Sequence, residues 1–235
     1  MLIENSVALV TGANRGLGLA FAKALLERGA RKVYAAARDP ASVTLPGVVP
    51  LRLDVTDPAQ VEAAAREAGD VTLLINNAGI SQRASVLGDN GIDAARAQLE
   101  TNFFGPFVTS RAFAPVLKRN GGGAILNVLS VLSWVTLPGS VTYSASKAAA
   151  WALTNGLRGE LRAQETQVLG LHVGYIDTDM TAAVTDPKSD PADVVRAALD
   201  ALEQGKEEVL ADDISRAVKR GLSAEPGVYL GSPGR

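Results

Sequence analysis

The chain has 235 residues, 47% hydrophobic and 20% charged, the composition of a folded globular protein rather than a disordered one. Lys and Arg total 23 against 25 Asp and Glu, a formal charge of −2 that argues against a nucleic-acid or anionic-membrane surface. No cysteine and one histidine, His172, exclude disulfides, thiolate metal sites, cysteine nucleophiles and any metal site that needs two imidazoles.

In chain order, the apolar run Val7 to Val10 predicts a strand buried on both faces. Leu17 to Arg28 repeats Leu17, Phe21, Ala24 and Leu25 at helical spacing, and Gly29 stops it. Lys32 to Ala37 and Val48 to Val55 read as the second and third strands. Asp57-Pro58 is an N-cap followed by proline, with Gln60 at the capping-box position, and opens a helix reaching about Gly69. Val71 to Asn76 is a fourth strand, and Asp93 to Arg119 one long helix that must accommodate Pro106 and Pro115. Ala124 to Ser130, the helix Tyr143 to Arg162 and the strand Gln167 to Val173 follow. Asp190-Pro191 caps a helix to about Gln204, Glu207 to Ala211 is a weak seventh strand, and Asp212 or Asp213 caps a last helix.

This alternation implies parallel strands joined by right-handed crossovers, an α/β doubly wound sheet of about seven strands with helices on both faces. Without a linker, repeat or low-complexity tract, the reading is one domain over 1–235, its tail 224–235 loosely held. The N-terminus Met1-Leu2-Ile3-Glu4-Asn5 lacks a targeting pattern, and no run approaches the roughly 18 apolar residues of a membrane span. A soluble, cytoplasmic chain is expected.

The first strand leads through Thr11-Gly12-Ala13-Asn14-Arg15-Gly16-Leu17-Gly18 into a helix. Glycines there permit a tight turn and let backbone N–H groups approach a pyrophosphate at the positive helix end; the alternative is a glycine turn with no ligand. The spacing is G-x-x-x-G-x-G. With Thr11 in front, with Asn76-Asn77-Ala78-Gly79 after the fourth strand, and with Tyr143-Ser144-Ala145-Ser146-Lys147, the chain resembles the short-chain dehydrogenase/reductase family from about Leu2 to Met180. Ser130 lies 13 residues before the tyrosine, and Asn102 sits in the long helix where the family carries its asparagine.

The resemblance implies a Rossmann-type fold, a nicotinamide cofactor and a small-molecule carbonyl or secondary-alcohol substrate. It implies cofactor contacts from Gly12, Asn14, Arg15, Gly16 and Leu17, adenine contacts from Asp54 and Val55, and an adenosine floor from Asn77, Ala78 and Gly79. Asp54 could equally be a strand-end turn residue. Asn76 is expected to be structural, bonding backbone groups in the central sheet. NAD-preferring dinucleotide folds carry an acid near the end of the second strand. Here that place holds Ala37 followed by Arg38, and Arg15 lies in the glycine turn; two guanidiniums on one 2′-phosphate point to NADP(H). The alternative is two solvated arginines, one of them neutralised by Asp39.

Tyr143 and Lys147 are four residues apart and share a helix face. An ammonium about 5 Å from the phenol, at an effective dielectric of about 20, favours phenolate by roughly 3 kcal/mol, on the order of two pKa units. By resemblance Tyr143 is the general acid/base, Lys147 lowers its pKa and bonds the nicotinamide ribose, Ser130 bonds the substrate oxygen, and Asn102 supports Lys147 through a helix distortion and a water relay. After the sixth strand the family shows P-G-x-I/V-x-T; here Val173 replaces the proline, while Gly174, Ile176 and Thr178 match. The Ile176 N–H and the Thr178 hydroxyl are implied to hold the carboxamide. His172, inside a buried strand, reads as a core histidine.

Trp134, Leu132, Tyr175 and Met180 flank the reacting centre in sequence, either as an apolar pocket or, for Trp134 and Leu132, as packing beneath a loop. The segment 181–190 is short for a substrate lid. The expected activity is an NADP(H)-dependent carbonyl reductase or alcohol dehydrogenase. The alternatives are an acyl-carrier-protein ketoreductase, with Arg158 and Arg162 as docking residues, and a non-catalytic NADP-sensing regulatory protein. Apolar residues on both long helices (Leu99, Phe103, Phe107, Phe113; Ala148, Ala149, Trp151, Ala152, Leu157) predict a homodimer, and the short, acid-flanked seventh strand argues against a tetramer.

Overall fold

In the computed structural model, which describes residues 1–231, the strands are β1 (Val7–Thr11), β2 (Lys32–Ala37), β3 (Val49–Arg52), β4 (Leu73–Asn76), β5 (Gly123–Val128), β6 (Thr166–His172) and β7 (Glu208–Leu210). All pair in parallel in the order β3-β2-β1-β4-β5-β6-β7. The helices are α1 (Gly16–Glu27), α2 (Pro58–Glu67), α3 (Gly91–Leu99), α4 (Gly105–Arg119), α5 (Val141–Leu161), α6 (Pro191–Glu203) and α7 (Asp213–Gly221). No helix among the described residues is long and apolar enough to cross a membrane.

Because side chains alternate along a strand, β1 feeds two cores. Ala8 and Val10 face α1 and α6, where Phe21, Leu25, Val195 and Leu199 are fully buried. Val7 and Leu9 face α2 and α4, where Val61, Phe113 and Leu117 are fully buried. That double burial is why β1 reads as an unbroken apolar run. The chain order reverses direction between β1 and β4, so the connections leaving their C-terminal ends run in opposite directions and open a crevice, the usual ligand position in such sheets.

Four expectations change. The helix predicted over Asp93 to Arg119 is α3 and α4 joined by a π-helical turn, Glu100–Phe104, and the extra residue of that turn carries Asn102 inward. Gln60 does not return to the N-cap backbone. Asp57 accepts from the N–H groups of Ala59 and Gln60, while the Gln60 side chain donates to Asp57 and accepts from the Asp54 N–H. Asn76 bonds side chains rather than backbone, because the parallel ladder with β5 already uses the backbone groups. Its amide donates to Ser110 and Asn127 and accepts from Thr109, and Asn127 in turn donates to Thr154. Phe113 points into the core, not outward from α4.

Asp212, not Asp213, is the N-cap of α7. Of the tail, Val228–Leu230 forms a 3-10 turn, with Val228 against Gly221. Residues 232–235 lie outside the described residues.

Candidate active site

The crevice begins at the glycine turn. Thr11 closes β1 and its hydroxyl oxygen accepts from the N–H groups of Asn77 (3.0 Å) and Ala78 (2.9 Å). The Asn77 amide donates to the carbonyls of Thr11 (2.8 Å) and Gly12 (3.3 Å). Asn77 therefore spends its side chain fastening the turn from behind. Gly18 is required by close approach: a Cβ there would lie 2.2 Å from the Gly12 carbonyl oxygen. Arg15 occupies the N-cap position of α1, but no side chain caps the helix and no acid lies in its first turn. Its first N–H groups and dipole thus face the crevice unneutralised, a cradle that fits an anionic pyrophosphate. Leu17 packs its side chain into the core, so only its backbone faces that cradle.

At the end of β2, Ala37 is buried and Arg38 is exposed, without an ion-pair partner among the described residues. Asp39 does not neutralise it; its carboxylate accepts the Ala41 N–H and caps the turn Pro40–Ser42. Arg15 instead pairs with Asp179 at 3.2 Å, an exposed contact that the sequence reading missed because the partners are 164 residues apart. Asp54 accepts from the Thr56 N–H (3.0 Å) and hydroxyl (2.7 Å), so its turn role is realised. Val55 is buried beneath Gly105.

The opposite end gathers Ser130, Tyr143 and Lys147. Ser130 follows β5 and caps the short turn Val131–Ser133, accepting the Leu132 N–H at 3.1 Å. α5 supplies the other two, one turn apart. Lys147 is buried; its ammonium donates to the Val128 carbonyl at 2.8 Å and lies 5.8 Å from the centre of the Tyr143 ring. Burial pulls this lysine down to about 8. The phenol moves the opposite way to the sequence expectation. Burial pushes Tyr143 up to about 12, with only the Ser130 hydrogen bond working against it. Withdrawal from water disfavours both charged forms, and this outweighs the attraction that spacing alone implied.

Asn102 ties the segment after β4 to α5. Its carbonyl accepts the Ile80 N–H (2.9 Å), and its amide donates to the Ile80 carbonyl (2.9 Å) and the Ser146 hydroxyl (3.0 Å). The helix distortion is present, but the direct contact with α5 is through Ser146 rather than Lys147. Gly79 lies between them: a Cβ there would sit 3.2 Å from Asn102 and 3.9 Å from the Lys147 ammonium.

His172 is fully buried and held to about 4 by that burial, so it is neutral near pH 7. Its Nδ1 meets the Ser130 carbonyl at 3.2 Å. The Trp134 ring stacks on it at 3.9 Å and meets Trp151 edge-on, which puts Trp134 beneath the loop. Leu132 and Tyr175 are half-buried and Met180 is exposed. Beyond β6, Ile176 has no partner for its N–H among the described residues, and its carbonyl accepts from Thr178 and Thr181. The Thr178 methyl lies against Gly16, so the segment after β6 closes on the glycine turn both here and at the Arg15–Asp179 pair.

A family model described as short chain dehydrogenase matches residues 6–189. The chain belongs to the short-chain dehydrogenase/reductase family. Its members are oxidoreductases that bind nicotinamide cofactors. A solved short-chain dehydrogenase from Burkholderia cenocepacia, in complex with NADP, is 47% identical, with 96% of each chain covered and a TM-score of 0.92. A family structure from Burkholderia phymatum, in complex with NAD, is 25% identical, with 94% of each chain covered and a TM-score of 0.85. The 3-oxoacyl-(acyl-carrier-protein) reductase FabG of Salmonella typhimurium is 33% identical over 195 residues, 79% of this chain and 80% of that protein.

The depressed lysine carries a stability consequence. In the unfolded chain Lys147 protonates near 10.5, in the folded protein near 8, so below pH 8 folding confines a charge that water would solvate better. Lys147→Met is expected to raise the thermal midpoint at pH 7. The advantage should shrink as pH rises from 8 to 10.5, where the folded wild type has already lost the proton that its unfolded state keeps. Melts at pH 7 and 9.5 check this; a variant less stable than wild type at pH 7 contradicts it.

Proposed function

We propose that the protein is an NADP(H)-dependent oxidoreductase that moves a hydride between the cofactor and a carbonyl or secondary alcohol, with Tyr143 as general acid/base. The observation that carries this is the meeting of a half-buried Tyr143, the buried Lys147 and the buried Ser130 at the same sheet edge as the uncapped glycine turn. When bound, the cofactor supplies or accepts the hydride. The N–H groups around Gly12, Asn14, Gly16 and Leu17 hold its pyrophosphate. Asp54, Val55, Ala78 and Gly79, with Asn77 behind them, shape the adenosine end. Lys147 serves its nicotinamide ribose, and Ile176 N–H and the Thr178 hydroxyl its carboxamide.

The protein's own part in reduction is a proton held at the Tyr143 oxygen. Burial keeps the phenol protonated near pH 7, the form that gives a proton to a carbonyl oxygen. Ser130 donates to the same oxygen and stabilises the charge that develops on it. Asn102 keeps α5 in place through Ser146.

Arg38, exposed and without an ion-pair partner among the described residues, and Arg15 support NADP(H) over NAD(H). The Arg15–Asp179 pair is more than two-thirds exposed on both sides and contributes about 0–1 kcal/mol, so a phosphate displaces it at little cost. The Burkholderia cenocepacia neighbour with NADP supports the same choice.

A narrower reading, ketoreduction on an acyl carrier, draws support from the Salmonella relative. Arg158, one of the two arginines expected for docking, does not strengthen it. Arg158 donates to the carbonyls of Val168 (3.2 Å) and Glu207 (2.6 Å), and it lies about 22 Å along α5 from Tyr143 at 1.5 Å per residue. A non-catalytic NADP sensor would have no use for Tyr143 set beside the buried Lys147.

We read the assembly as a homodimer through the outer faces of α4 and α5. Phe107 on α4 and Phe104 on the π-helical turn before it are exposed and cluster with Phe103. Light scattering at micromolar concentration is expected to give twice the chain mass; a monomer mass refutes the dimer.

Tyr143→Phe removes one hydroxyl and should lower kcat about 100-fold or more while NADPH still binds. Near-full turnover in that variant would remove Tyr143 from the mechanism. Arg38→Asp should move preference from NADPH toward NADH by about 10- to 100-fold, the scale of lost charge-assisted bonds to a phosphate. Steady-state kinetics with both cofactors decides it, and a wild type that already prefers NADH rules the assignment out.

A further inference from the structure

The turn that follows β6 carries Val173 where the family's motif has a stiffening proline, yet it is held firmly. Val173 stays buried, and its carbonyl accepts the Val131 N–H at 3.0 Å, one residue beyond Ser130. Gly174 then donates its N–H to a carboxylate oxygen of Asp212 at 2.6 Å, from 38 residues further along the chain. The other carboxylate oxygen accepts the Ser215 N–H at 2.9 Å and caps α7. One side chain thus joins the first turn of α7 to the segment leaving β6. A side chain at residue 174 would have to displace its neighbours: a Cβ would lie 2.7 Å from an Ile214 methyl and 3.1 Å from the Asp212 oxygen. Beyond this clamp the segment is pinned again by mutual bonds with Ser189, from the Asp177 N–H (3.0 Å) and to the Tyr175 carbonyl (2.8 Å). Between the two anchors lies Ile176, whose N–H has no partner among the described residues.

We propose that Asp212 is a positioning residue that sets the Gly174–Thr178 segment for the nicotinamide end of the cofactor, supplying the stiffness that proline would otherwise give. It touches neither cofactor nor substrate; it acts through the Gly174 N–H. The proposal rests on the cofactor reading above, in which Ile176 and Thr178 meet the carboxamide. A carboxylate accepting a backbone N–H forms a charge-assisted bond, and no neutral side chain of shorter reach replaces it. Proline fixes one backbone angle within its own residue, whereas this clamp ties the segment to a separate helix.

The test separates α7 capping from positioning. Serine at 212 still caps a helix but is too short to reach Gly174 as well. In Asp212→Ser the dissociation constant of NADPH should rise about 10-fold. That of 2′-phospho-ADP-ribose, which lacks the nicotinamide ring, should stay within about twofold. Gly174→Ala, which pushes Ile214 and Asp212 away, should show the same selective loss, and undisturbed fragment binding certifies that both variants are folded. Equal weakening of both ligands, or of neither, overturns the proposal and leaves the cofactor reading standing. A wild type that binds neither ligand removes the cofactor reading and the proposal with it.

Discussion

A buried amine beside a half-buried tyrosine at one sheet edge constrains the rest of this structure. Each disfavours its own charged form when buried, which is why Lys147 is drawn down to about 8 and Tyr143 up to about 12. Such a pair persists only if its surroundings are over-determined. The Val128 carbonyl takes the ammonium, and the π-helical turn brings Asn102 to both Ile80 and Ser146. The stability lost in desolvating Lys147 is the counterpart of having a poised, water-excluded amine beside the phenol.

Four polar side chains behind that edge satisfy one another. Thr109, Asn76, Asn127 and Thr154 form a row of side-chain bonds from α4 through β4 and β5 to α5. Buried amides without partners would cost about 1–3 kcal/mol each, so the row must form as a unit. It fixes the offset between the two helices that flank the sheet, and α5 carries Tyr143 and Lys147. His172 does related work: neutral, stacked on Trp134, and bonded to the carbonyl of Ser130. A residue that reads as mere core is therefore in contact with the backbone of a candidate catalytic serine.

The crevice also has a seam. The glycine turn and the segment after β6 meet at Gly16 and Thr178 and at Arg15 and Asp179, an exposed pair. Contacts of that kind are weak and screened, and they yield to a stronger anionic partner. The fastened parts lie deeper: Asn77 behind the turn, and Asp212 behind Gly174.

Much was legible from the sequence, because local rules carry it. The apolar run of β1, the caps at Asp57 and Asp190, and the alternation of strand and helix follow from burial on both faces and from backbone groups that need partners. The glycine turn and the Tyr143–Lys147 helix face are local objects legible from spacing, while Ser130 and the roles of all three residues come from the family resemblance. Tertiary structure alone decided what depends on through-space neighbours. It split the long helix at Asn102, sent Phe113 inward, turned Asn76 to side chains, consumed Arg158, and paired Arg15 with Asp179. It also reversed the direction expected for the tyrosine. Charge attraction can be reckoned from the spacing of two residues, but desolvation depends on everything packed around them, and no stretch of sequence contains that.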